Sequence, residues 1–149
     1  MPVLRLAAAC LMLACSLSLT SASHEALASP SPMVDRINDV RRAHGLHGLR
    51  YSARLSRSSS RFARRILLTD RFAHSTRFAG GSRLSRRGEI LALTRGWQLR
   101  RAETIGLWLG SAGHRIVLLG GSYRYVGAAR VRGRFGAGRA VAWTVRFGR

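Results

Sequence analysis

RAVAWTVRF, residues 139–147, decides the class of fold. Val141, Trp143, Val145 and Phe147 alternate with Ala140, Ala142, Thr144 and Arg146, the period-two pattern of a half-buried strand. Upstream, YRYVGAARVR (123–132) alternates less cleanly, and Gly133-Arg134-Phe135-Gly136 supplies turn residues between the two segments. Together they predict an antiparallel hairpin. Another short strand is expected at Ile90–Ala92.

The rest of the chain has a different period. Ser31-Pro32 offers an N-cap followed by a proline at the first helical position, and Met33, Ile37 and Val40 recur at helical spacing until Gly45. Ser52 can cap a stronger helix, in which Leu55, Ser59, Phe62, Ala63, Ile66 and Leu67 share one face and five arginines take the other; it is expected to end near Thr69. The stretch RFAHSTRFAGGSRLSRRGE (71–89) has no sustained period and reads as an unusually long loop, a place where function often resides. A third helix is expected over Gln98–Leu109, with Ala102, Ile105, Trp108 and Leu109 inward, and a short fourth over His114–Leu119 behind Ser111. Helices first and antiparallel strands last predict an α+β layered domain.

Residues 1–28 stand apart from this domain. An arginine near the start, an apolar run over Leu6–Leu19 and small polar residues afterwards read as a secretory signal peptide, with Ala26-Leu27-Ala28 as the small-x-small site and residues 29–149 as the single mature domain. A competing reading anchors a lipoprotein at Cys15, although Met12 rather than Leu holds the third position before it. No transmembrane segment is expected after signal removal. Both cysteines, Cys10 and Cys15, fall within the signal, so stability must come from packing rather than disulfides.

All 26 basic residues are arginine, against 6 acids, for a net charge of +20. The arginines recur from Arg36 to Arg149 without a block of five or six and with little aromatic interleaving, so the charge predicts attraction to anionic lipids or envelope components rather than sequence-specific nucleic-acid reading.

The chain has no GxxxxGK[ST], GxSxG, HExxH or paired CxxC pattern. His24 lies in the signal, and His44 and His47 flank Gly45 in a turn, where a structural or solvated role is expected. The remaining polar set is His74, Glu89 and His114. Two imidazoles and a carboxylate are a competent set for Zn²⁺ or another divalent metal, and equally for a hydrogen-bonded network in a cleft wall. With Ser111 as cap, His114 sits in the first turn of a helix, where the dipole disfavours its charge. The plain alternative for Glu89 is an ion pair with an arginine such as Arg87 or Arg115.

From Ile37 to Gly148 the chain resembles the CAP superfamily (cysteine-rich secretory proteins, antigen 5 and pathogenesis-related 1 proteins), in its compact bacterial secreted form. The resemblance runs in order through Asn38-Asp39-Val40-Arg41, Gly48-Leu49, Phe72-Ala73-His74-Ser75, Gly88-Glu89, Trp108-Leu109-Gly110-Ser111-Ala112-Gly113-His114-Arg115, Leu118-Leu119, Tyr123, Val126-Gly127, Trp143-Thr144 and Phe147-Gly148. It implies an α-β-α sandwich with a cleft lined by two histidines and two glutamates, of which His74, Glu89 and His114 are present. Ile90 replaces an asparagine of the family pattern, Ala112 a proline, and Ser111 the second glutamate; Glu103, five residues before Trp108, is out of register to replace it.

Three functions are consistent with these residues. The first is a secreted binding module whose His/Glu cleft holds a metal ion or a small or lipid ligand and whose basic surface meets anionic envelope components. The second is a metal-dependent or Glu/His-assisted hydrolase with Glu89 as general base beside His74 and His114. The third is a cationic protein acting on polyanions or membranes.

Overall fold

The computed structural model describes residues 31–76, 84–97 and 100–149. Residues 1–30, with the expected signal peptide and Cys10 and Cys15, the middle of the 71–89 stretch, and Gln98 with Leu99 lie outside the described residues. In chain order the elements are α1 (Pro32–Ala43), β1 (Arg50–Tyr51), α2 (Ala53–Thr69), β2 (Arg87–Arg95), α3 (Arg101–Gly110), α4 (Ala112–Leu118), β3 (Tyr125–Phe135) and β4 (Gly138–Gly148).

The four strands form one sheet in the order β1-β3-β4-β2. β4 pairs antiparallel with β3 from Tyr125↔Gly148 to Phe135↔Gly138, and with β2 from Arg87↔Gly148 to Arg95↔Ala140. It is therefore a central strand buried on both faces, not the half-buried strand that its alternation suggests: the small Ala140 and Ala142 also lie in a core. β2 is three times the length expected from Ile90–Ala92, because the whole of β4 is available to pair with it, and Glu89 consequently belongs to a strand rather than a loop. The hairpin turn is confined to Gly136-Ala137, with Gly136 at φ 59°, so Gly133 extends β3 instead of starting the turn. The two-residue β1 lies parallel to β3, which makes the sheet mixed; nothing in its short sequence announced it.

Helices cover both faces, giving an α+β, α-β-α sandwich. Val141, Trp143, Val145 and Phe147 of β4 pack with Ile90 and Ala92 of β2 against α1, α3 and α4 through Met33, Val34, Ile37, Ile105, Trp108 and Leu118. On the other face Ala140, Ala142 and Leu91 meet Ala63, Ile66 and Leu67 of α2. The α3 face is set by Thr104, Ile105 and Trp108, while Ala102 is exposed. Trp108 also donates its indole N–H to the Leu91 carbonyl at 2.9 Å, fastening α3 to the edge strand.

Local polar chemistry fixes the helix ends. Ser52 accepts the Leu55 N–H at 3.3 Å and caps α2. Asp70, at φ 50°, ends α2, and its carboxylate accepts the Gly136 N–H at 2.6 Å. Asn38 exchanges two hydrogen bonds with the Leu49 backbone, and the buried Arg41 donates to the carbonyls of His47, Leu118 and Gly120. The Asn-x-x-Arg pair thus ties α1 to the turn after it and to the end of α4.

Gly127 marks the closest approach of helix and sheet. A Cβ there would lie against the Leu55 and Ser56 backbone of α2 well inside van der Waals contact, and the Gly127 carbonyl accepts from Ser59 Oγ at 3.0 Å. Gly127→Ala is expected to cost about 3 kcal/mol of folding stability, the upper part of the usual overpacking range, because rigid backbone rather than a movable side chain must yield. Urea unfolding of the variant beside the parent chain measures this.

Candidate functional site

Glu89 lies near the start of β2, on the α2 face of the sheet and opposite Arg146 of β4. A lone arginine within the otherwise uncharged run 140–148 is the signal that could have pointed to this pair: Arg146 is 2% exposed and must find acceptors inside. It donates from Nε and Nη2 to Glu89 Oε2 at 2.9 and 2.8 Å, and from Nη1 to the Ser58 carbonyl and hydroxyl. Its guanidinium also lies 4.7 Å from the Phe62 ring centre. Burial works against the charge on Arg146, and the bonds to Glu89 support it. The arginine partner of Glu89 is therefore Arg146, 57 positions away, rather than Arg87 or Arg115.

The other oxygen of Glu89 faces the segment leaving α2. Oε1 accepts the Ser75 N–H at 2.9 Å and lies 3.1 Å from His74 Nδ1. With a carboxylate opposite, Nδ1 carries the proton, which leaves Nε2 as the accessible nitrogen of a ring that is 59% exposed. A cleft of about 330 Å³ adjoins His74, with Phe62 and Ile66 as its apolar wall and Arg65 and Arg71 among its polar groups.

His114 reaches the same place from the opposite helical layer. Because β2 is an edge strand, elements from both faces of the sandwich can meet beside it. Gly88 makes room: a Cβ there would collide with the Tyr123 hydroxyl and with Val117 of α4. The His74 and His114 rings come to 6.4 Å between centres, tilted by 45°. Ser111 occupies the N-cap position of α4, yet its side chain caps no backbone group; its Oγ lies 2.9 Å from His114 Nδ1. Ser111, at the position where the resemblance implies a second glutamate, thus fixes an imidazole ring.

The structure therefore gathers His74 and Glu89 in direct contact and places His114 across from His74. It does not make them three equivalent ligands. Both Glu89 oxygens are occupied by donors, and among the described residues no three His, Cys, Asp or Glu side chains are placed to hold one metal ion. Each histidine ring is anchored at Nδ1, His74 by Glu89 and His114 by Ser111. His44 and His47 bond the carbonyls of Val40 and Tyr123 in the turn, in the structural role expected of them. Glu103 accepts the Arg100 N–H at 2.9 Å at the start of α3 and stays outside the site. Ile90 is wholly buried in the core, and Ala112 is exposed at the start of α4.

Arg146→Met strands a buried carboxylate and should cost about 3–5 kcal/mol, while the double variant with Glu89→Gln recovers part of the loss because no unpaired charge remains; chemical denaturation reads both. Burial first, and His74 second, hold the His114 imidazolium below its ordinary pKa. In the window between that lowered pKa and the unfolded value of about 6.5, the unfolded chain binds more protons at this position, so stability falls as the pH drops through it and is unaffected above it. NMR titration should place His114 below the free imidazole, and His74→Ala should move it upward.

Comparison with known proteins agrees with this architecture. The structure of an outer surface protein of Borrelia burgdorferi superimposes with a TM-score of 0.66 at 17% identity, covering 78% of this chain and 89% of that one. An extracellular SCP-domain protein of Bacillus anthracis gives 0.64 at 20% identity, and a cysteine-rich secretory protein of Staphylococcus aureus 0.61 at 17%. Each again covers 78% of this chain, which spans 39% and 36% of those two proteins. Among curated proteins no sequence matches significantly. The model of the CAP family, the cysteine-rich secretory proteins, matches residues 34–147, which hold every described helix and strand save the first two residues of α1 and the last of β4. The chain belongs to the CAP family.

Proposed function

We propose that this chain is an extracytoplasmic binding module whose ligand sits between His74 and His114, and that its basic surface keeps it at anionic envelope components. The observation that carries the reading is the anchoring of both rings at Nδ1, His74 on Glu89 and His114 on Ser111, across a centre-to-centre distance of 6.4 Å. Histidines that ligate metals usually give their second nitrogen to such a partner, which sets the tautomer and the ring orientation. His74 and His114 would hold Zn²⁺ or another divalent cation, with Glu89 and Ser111 as orienting groups. A bound cation supplies a Lewis-acid contact for a ligand oxygen. The adjoining cleft, apolar at Phe62 and Ile66 and cationic at Arg65 and Arg71, suits a small amphiphilic ligand with an acidic group, a lipid among them.

Binding is preferred to hydrolysis because both Glu89 oxygens are already engaged, leaving it poorly placed as a general base. Placement outside the cytoplasm is supported by the family and by the fold shared with an outer surface protein and an extracellular protein. No helix among the described residues is long and apolar enough to cross a membrane. Titration calorimetry with Zn²⁺ tests the site: His74→Ala and His114→Ala should abolish binding, and Ser111→Ala should weaken it about tenfold or more through loss of ring orientation. Equal affinity in the parent and both histidine variants would refute the site.

A further inference from the structure

We infer that the open pocket between α1, the start of α3 and the Trp97 end of β2 is a second binding site, an anion receptor for phosphate groups. It lies away from the histidine cleft, since the extended strand from Glu89 to Arg95 alone spans about 20 Å. Gly96, at φ 78°, donates its N–H to the Arg139 carbonyl at 2.7 Å and turns the chain out of β2, presenting Trp97 at 45% exposure. The pocket beside it has a volume of about 880 Å³.

Its charge is one-sided. Arg36, Arg100, Arg101, Arg130 and Arg132 line it, against Asp35 and Asp39 on the α1 wall, and Asp39 is already paired with Arg42 at 2.7 Å. Like charges this close repel one another, and both Arg132 and Arg101 disfavour the charge on Arg130 beyond the effect of its burial. A bound anion relieves that repulsion.

The arginines are also held in place. The Arg132 and Arg139 guanidinium groups lie 5.6 and 5.0 Å from the Trp97 ring centre, and that of Arg130 lies 5.9 Å from Trp143 and donates to the Trp97 carbonyl at 3.1 Å. A guanidinium resting on an aromatic ring uses its face, which leaves its in-plane N–H groups for an acceptor. Two side chains lining the pocket carry buried donors, Arg130 Nε and Trp143 Nε1, that lack an acceptor among the described residues, and Trp143 is only 4% exposed. A buried donor without an acceptor is costly, and an oxyanion that reaches it recovers the loss. Several guanidinium groups lining one pocket suit an anion with three or more oxygens and multiple charge, a phosphate, better than a carboxylate, which one fork satisfies.

A free phosphate compound and a phospholipid headgroup share this chemistry, and the test separates them. Binding of pyrophosphate, of phosphatidylglycerol vesicles and of phosphatidylcholine vesicles to the full chain is measured by tryptophan fluorescence and calorimetry at physiological salt. Arg101→Gln and Arg132→Gln, both at exposed positions that spare the fold, should weaken binding about tenfold each. Arg64→Gln, which removes the same charge from the outer face of α2, should change it less than about twofold. That pattern with pyrophosphate establishes a site for soluble phosphate compounds; the same pattern with phosphatidylglycerol vesicles alone establishes a headgroup site. Equal loss in all three variants, or no binding of any probe, overturns the proposal and reduces the pocket to part of a diffuse cationic field.

Discussion

A guanidinium buried in the middle of a sheet is the constraint around which this domain is arranged. Arg146 cannot be hydrated where it lies, so its donors must be met by protein, and they are met from three directions: Glu89 of β2, Ser58 of α2 and the Phe62 ring. Each partner fixes something. Glu89 sets the face and register of β2 against β4, Ser58 holds α2 over the sheet, and Glu89 in turn spends its second oxygen on the Ser75 N–H and His74. Burying a charge pair is seldom a net source of stability compared with apolar packing, but losing one partner strands a buried charge, so the groups around it are held where both charges stay satisfied. Here that arrangement delivers an imidazole to the edge of the sheet.

The edge position of β2 explains why a site forms there. An interior strand is walled off by neighbours on both sides, whereas an edge strand lets the two helical layers approach one another past its open side. His74 comes from the segment behind α2, His114 from α4 in the other layer, and Gly88 withholds the side chain that would keep α4 away. In place of a second carboxylate, Ser111 steers His114. His114 is thereby oriented by an uncharged hydroxyl, while His74 is oriented by a carboxylate.

At the far end of the same strand, aromatic rings perform the organising role that Glu89 performs at the first. Trp97 and Trp143 carry guanidinium groups on their faces, so part of a charge excess that is diffuse in the sequence is gathered in space. The domain thus has a histidine cleft at one end of β2 and an arginine-lined pocket at the other.

Much of this was legible in the residues. The 3.6-residue period of α2, its Ser52 cap, the alternation in β4 and the ordered fragments around His74, Glu89 and His114 determine the layered α+β class, the family and the identity of the cleft residues, because each depends on spacing within a short segment. Burial on both faces of β4, the length of β2, the parallel β1 and the true extent of the hairpin were decided by strand pairing, which joins segments far apart in the chain. So were the roles within the site. Local sequence records which side chains exist and which face of an element they share; it does not record which distant group will satisfy a buried charge. Arg146 claimed Glu89 and turned a candidate metal ligand into a support for His74, and Ser111, readable as a helix cap, was claimed by an imidazole instead.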